Sequence, residues 1–144
     1  VGNAVTPIQN VMVTVPADYD VGNETDTSLE LLGEENDERT VIELVREKDK
    51  AFDLMKTDLK DLKNSDNASN IENDTEDFAG ITTYTIKYQE IKEDNTVNHT
   101  VVYVNKLNKS FIIDTSGYTD TNKQINDLTY IIDTIMLDFK VSDY

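Results

Sequence analysis

Three consecutive stretches between Ile81 and Thr115 constrain the fold more than anything else in this 144-residue chain. Tyr84, Ile86 and Tyr88 alternate with Thr83, Thr85 and Lys87 inside a run, Ile81 to Ile91, that is long for a strand. "KEDNT" (92–96) supplies a turn, Val97 to Val104 runs back, and "NKLNK" (105–109) turns the chain again into Ser110 to Thr115. Alternation puts every second side chain on one face, and turns this short join neighbours directly, so the segment predicts a three-stranded antiparallel meander. Such a sheet has two faces, and the rest of the sequence must cover them.

Two segments carry helical periodicity. In "REKDKAFDLMKTDLKDLKN" (46–64), Phe52, Met55, Leu59 and Leu62 fall on one stripe that Ala51 and Leu54 widen, and Asn64 with Ser65 ends it. Near the C-terminus the stripe is Ile125, Leu128, Ile132, Ile135 and Phe139, with Ile131 and Met136 beside it. Thr121 or Asn122 is the expected N-cap, and Lys123, Asp127 and Asp138 should face water.

Upstream, Val11, Val13 and Val15 alternate with Met12 and Thr14 until Pro16 removes a ladder donor, which predicts the first strand of the sheet, running into a polar turn region, "ADYDVGNETD". Ser28 to Leu32 and Thr40 to Val45 predict a hairpin across "GEENDER" (33–39), with Ile42 and Leu44 covered and Glu43 near an edge. "NSDNASNIENDTED" (64–77) shows no period and reads as the longest loop. Residues 1–10 read as a flexible lead-in to a single domain spanning 11–144. The order strand, hairpin, helix, meander, helix predicts an α+β domain: an antiparallel sheet of about six strands with helices packed on it.

Charge narrows the function. The net charge is −16, concentrated between Ala17 and Asp77, and a field of that sign repels phosphate backbones. The densest lysines, Lys48 to Lys63, are interleaved with acids on the first helix, so neither nucleic acid nor an anionic membrane is an expected partner. Excess acid serves as a docking surface for a basic partner or cations, or as a solvated face; Glu34, Glu35, Asp37 and Glu38 are the candidate interaction surface. Cysteine is absent, which excludes disulfides, thiolate catalysis and cysteine-bound structural zinc. No stretch approaches the roughly 20 apolar residues that insertion into a bilayer needs. The chain starts at Val1, so removal of an upstream segment such as a secretory signal peptide is expected. Five N-x-S/T triplets, at Asn23, Asn67, Asn73, Asn98 and Asn108, fit an extracytoplasmic or cell-surface location, with a cytoplasmic one as the alternative.

Catalytic signatures are sparse. There is no P-loop, dinucleotide fingerprint or G-x-S-x-G context, and no cofactor is expected. His99, the single histidine, would need an inward-facing partner to act as a base or metal ligand, and the sequence signals none. The acidic window from Asp66 to Asp77 offers oxygen ligands without the glycine and the spacing that wrap a loop around calcium. Tyr84, Tyr88 and Tyr103 either floor a ligand site or are half-buried sheet residues.

With that order established, "VTVPADYDV" (13–21) resembles the first-strand signature of the PsbP-like superfamily: a strand, a proline, a short polar turn and an aromatic residue, here Val13 to Pro16 and Tyr19. The hairpin, the helix, "ITTYTIKYQEI", "VVYVNKLNKSFIID" and the closing "INDLTYIIDTIM" follow in similar order, from about Val11 to Phe139. The aromatic after the proline is often Trp in that superfamily, whereas this chain has none. The resemblance implies an α/β/α sandwich and a mostly non-enzymatic company: photosystem extrinsic subunits, a Ran-binding nuclear transport factor and small exported proteins. None of their partner-binding residues maps onto a matching position here. The expected function is therefore that of a non-catalytic exported or surface domain acting through protein contacts. A small-ligand or divalent-cation module, and an enzyme using His99, are the alternatives.

Overall fold

The computed structural model describes residues 2–4, 11–33, 37–45, 50–106 and 108–137. Its frame is a seven-stranded sheet, antiparallel at every pairing. In chain order the elements begin with β1 (Gly2–Ala4), β2 (Val11–Met12), β3 (Thr14–Pro16), β4 (Asp20–Glu24), β5 (Ser28–Leu32), β6 (Arg39–Val45) and α1 (Ala51–Lys63). They continue with β7 (Ala68–Phe78), β8 (Ile81–Lys92), β9 (Asn95–Lys106), β10 (Lys109–Ser116), α2 (Thr121–Thr134) and β11 (Met136–Leu137). Strand order in the sheet is β4-β5-β6-β10-β9-β8-β7. The predicted meander is β8-β9-β10, and β10 joins it to the predicted β5-β6 hairpin.

The sheet has seven strands rather than about six, and its composition differs from expectation in two ways. The supposed loop of residues 64–77 is mostly β7, paired with β8 from Ala68↔Glu90 to Phe78↔Ile81. Most of its side chains are exposed, so backbone pairing rather than apolar alternation holds it, and Phe78 alone is fully buried. The turn into β8 consists of Ala79 and Gly80, both at positive φ, 53° and 77°, the geometry of a tight hairpin that Asn-Gly would announce more clearly. Likewise Asp20 to Glu24, expected as turn, forms the other edge strand, β4.

Conversely, the valine run expected to open the sheet lies outside it. β2 pairs with β11 and β3 with β1 in separate two-stranded ladders. The alternation itself is real: Val11, Val13 and Val15 are buried, and with α2 they form a second layer over one face. Val102, Val104, Phe111, Ile113, Ile42, Leu44, Leu29 and Leu31 meet them from the sheet, as the covered side of Ile42 and Leu44 requires.

α2 begins one residue before the expected caps, with Asp120 accepting from the backbone N–H groups of Asn122 and Lys123 at 3.0 and 3.2 Å. It stops at Thr134 instead of running to Phe139, because Ile135 is extended and the chain continues as β11; Asp138 and Phe139 lie outside the described residues. Its buried stripe is Leu128, Ile131 and Ile132, continued by Ile135 just past its end, leaving Ile125 in the first turns 45% exposed. The last turn carries no basic residue of its own, and Lys106 of β9 donates to the carbonyls of Ile132 and Asp133 instead, at 2.5 and 2.9 Å.

α1 covers the opposite face with less material. Ala51 and Met55 are buried and Leu54, Leu59 and Leu62 partly so, against Ile86, Val101 and Tyr103. Its first N–H is satisfied by Asn105 Oδ1 of β9 at 3.0 Å, since Lys50 offers no side-chain cap. Phe52, expected on the apolar stripe, is 43% exposed and meets Tyr84 edge-on at 5.2 Å, because the stripe centres on Ala51 and Met55.

Candidate functional site

Register decides what α1 looks down upon. Tyr88 pairs with His99, Ile86 with Val101 and Tyr84 with Tyr103 across β8 and β9; across β9 and β10, Tyr103 pairs with Ile112 and Val101 with Asp114. Paired residues share a face, so these side chains form one patch beneath α1. Between patch and helix lies a cleft of about 230 Å³. Tyr88, Tyr103, Val101 and Ile112 form its floor, Leu62, Asp58 and Asp61 of α1 its wall, and Asp114 of β10 closes one side. Two other depressions are each lined by one element: the outer face of α1 (Lys56, Leu59, Lys60, Lys63, Asn64) and the β8-β9 turn (Lys92 to Asn95). Of these three, the cleft is the one that brings helix and strands together.

His99 lies beside this cleft at 9% exposure, its ring stacked on Tyr88 with centroids 4.6 Å apart and planes 3° from parallel. Nδ1 is 2.8 Å from Asp114 Oδ1 and Nε2 is 2.8 Å from Glu90 Oε1. Ionised carboxylates only accept, so both ring nitrogens must carry protons to satisfy both bonds, and the arrangement is that of an imidazolium. Burial favours the neutral ring, yet the hydrogen bond and charge of Asp114, followed by those of Glu90, outweigh it and hold the pKa above its ordinary value. Neither nitrogen is left with a lone pair for proton abstraction or metal binding.

The two phenols of the floor are poor acids. Burial, then the hydrogen bond and charge of Asp58, raise Tyr103, whose hydroxyl donates to Asp58 Oδ2 at 2.6 Å. Burial, then the charges of Asp114, Glu90 and Asp58, raise Tyr88. The cleft thus presents neutral aromatic faces and carboxylates, with one cation held at its side.

Of the residues singled out from sequence, Tyr88 and Tyr103 meet in the cleft and Tyr84 lies on the same face beside Phe52. Glu34 and Glu35 fall outside the described residues. Asp37 is exposed, with φ 61°, whereas Glu38 is only 3% exposed and receives Lys123 Nζ at 2.6 Å, so this acid is turned inward. Most of the Asp66 to Asp77 window is extended strand, which cannot wrap an ion, and among the described residues no three His, Asp or Glu side chains gather to hold a metal. All five N-x-S/T asparagines are exposed. Asp58, Asp61, Glu90 and Asp114 were not anticipated; they come together only through strand register and helix placement, which no local pattern announces.

A second polar cluster lies on the α2 side. Tyr19, from the turn after β3, and Tyr118 both donate to Asp127 Oδ2, at 2.5 and 3.2 Å, and their hydroxyls touch each other. Asp127 was expected to face water; burial instead raises its pKa, with the Tyr118 hydrogen bond and the Lys123 charge opposing. Lys123 lies over the Tyr19 ring, so it too is drawn in. These contacts fasten the "ADYD" turn to α2.

An antiparallel sheet between a well-buried C-terminal helix and a more loosely packed one defines a helix–sheet–helix α+β class. Within that class the chain has the Mog1/PsbP-type fold. A mutant of protein Mog1 matches with a TM-score of 0.60 at 13% identity, over 95% of this chain and 96% of that one. Cyanobacterial PsbP from Synechocystis sp. PCC 6803 matches at 0.58 and 13% identity, over 94% and 92%. A protein of unknown function from Pseudomonas aeruginosa matches at 0.56 and 12% identity, over 94% and 96%. At such identities the likeness is one of fold alone. No family model matches the sequence, and no curated protein matches it.

Proposed function

We propose that this protein is a non-catalytic domain that acts through protein contacts, and that the cleft under α1 receives basic side chains of its partner. The observation that carries this reading is the convergence of Asp58, Asp61 and Asp114 around an apolar and aromatic floor. A lysine or arginine needs both parts, an apolar wall for its stem and acceptors for its head. The cleft of about 230 Å³ is below the roughly 300–1,000 Å³ of sites that enclose a small-molecule ligand, which favours a single side chain over a free metabolite. A net charge of −16 steers such partners from a distance. His99, bonded at both nitrogens, supports a binding role over a catalytic one. In this reading the domain works outside the cytoplasm or at the cell surface, which the exposure of all five N-x-S/T asparagines supports.

Isothermal titration with a short arginine-glycine peptide tests it. Binding should saturate, weaken with salt, and fall about tenfold in Asp61→Asn, the equivalent of one charge-assisted hydrogen bond. The paired change Glu34→Gln with Glu35→Gln should bind as the parent does. Equal binding by Asp61→Asn and parent, or none by the parent, would remove the cleft from this function.

A further inference from the structure

Resting on the cleft reading, we propose that the site is proton-coupled: one guanidinium or ammonium group entering beside Asp114 replaces the His99 imidazolium as that carboxylate's partner and displaces its Nδ1 proton. The cleft then grips a basic side chain more tightly as pH rises.

The geometry contains the coupling. Asp114 lines the cleft and bonds His99 at the same time, and at 32% side-chain exposure it can be reached by an incoming cation. Two cations sharing one carboxylate repel each other in the partly desolvated space between α1 and the sheet. The bound side chain of lysine or arginine does not readily give up its proton, whereas the imidazolium does. Nδ1–H therefore releases its proton to water, and the ring stays as the Nε2–H tautomer donating to Glu90 Oε1. No bond other than N–H is broken. By linkage, a ligand that lowers the proton affinity of His99 binds better when that proton is already gone.

The neighbours on every packed element fit this exchange. α1 contributes Asp58 and Asp61, which attract either cation, and β10 contributes Asp114 itself. β9 contributes Tyr103 and β8 contributes Tyr88, both held neutral, together with Glu90. Lys92 Nζ stands 3.8 Å from Glu90 Oε1 and helps to neutralise it when the ring is uncharged. Tyr88 stacks on the imidazole and forms part of the cleft floor, so ring and ligand share one wall.

The single histidine makes the test direct, because its ring protons give one titration curve by NMR. The probe is N-acetyl-arginine amide, with the uncharged N-acetyl-citrulline amide as control. Saturating arginine probe should move the His99 midpoint to lower pH, and its affinity should rise about threefold from about pH 6 to about pH 9, the equivalent of half a pKa unit. In His99→Gln that rise should vanish. Perturbation of the Tyr88 and Asp114 amides by the arginine probe with an unmoved His99 midpoint would overturn the coupling and leave the cleft reading standing. An equal midpoint shift with citrulline would also overturn it, since no cation would be involved. Absence of any Tyr88 or Asp114 perturbation at either pH would sink the cleft reading and the coupling together. The titration on the parent protein decides these outcomes even if His99→Gln does not fold.

Discussion

The two faces of the sheet treat polar groups in opposite ways. On the α2 face a helix and the valines of β2 and β3 close over Phe111, Ile113, Val102 and Val104, and the polar residues at the margin are tied to one another, as Tyr19 and Tyr118 are to Asp127. On the α1 face a helix with two fully buried residues leaves aromatic rings and carboxylates facing a cleft. One face is closed and holds the fold together. The other keeps its shape while leaving a cleft open to solvent.

That contrast is most easily broken through the core. Phe111→Ala on the closed face should lower the unfolding free energy by about 3–5 kcal/mol in urea denaturation, whereas Leu62→Ala beside the cleft should cost about 1 kcal/mol, because its site is already partly open to water. Comparable losses on both faces would show that the α1 layer is as structural as the other. Next in size, Tyr19→Phe should cost about 1–2 kcal/mol by depriving a half-buried carboxylate of a donor, and Tyr103→Phe should cost less because Asp58 borders the open cleft.

A smaller, pH-dependent effect distinguishes the two polar clusters. The folded pKa of His99 is raised, so its contribution to stability is full below about pH 6.5, its unfolded value, and is lost as pH rises through the folded pKa. Glu90 and Asp114 are each about a third exposed, so solvent screening keeps the effect modest. Melting temperatures of the parent should decline across that window, and those of His99→Gln should not. Smallest of all, Ala79→Asn should raise stability by about 0.5 kcal/mol, since asparagine tolerates the positive φ of this turn better than alanine does. Urea denaturation of that variant measures the gain.

How much of this was legible in the sequence depended on whether a segment faces one environment or two. β8, β9 and β10 are long, half-buried and joined by short turns, so their period shows. β7 lies at an edge with both sides largely in water, and nothing in "NIENDTED" needs to alternate for its backbone to pair with β8. The valines of β2 and β3 alternate correctly, yet alternation reveals burial and not the partner, so their separate ladders were hidden. The resemblance carried by Tyr19 pointed correctly to the fold. The two tyrosines of the cleft stand out as candidates, while the carboxylates that line it with them do not. His99 lacked a signalled partner because Glu90 and Asp114 sit diagonally across neighbouring strands, a relation that exists only once register is set.

The pairing of β2 with β11 bears on how the chain reaches this state. Met12 opposes Met136 and Val11 opposes Leu137, while Tyr19 grips Asp127, so the closed face is completed only by segments from opposite ends of the sequence. Contacts of such separation delay folding, because chain entropy is lost before they form. During synthesis the sheet would stand with one face bare until α2 emerges. The valines of β2 and β3, made before the sheet and α2, would then be among the last residues to find their place.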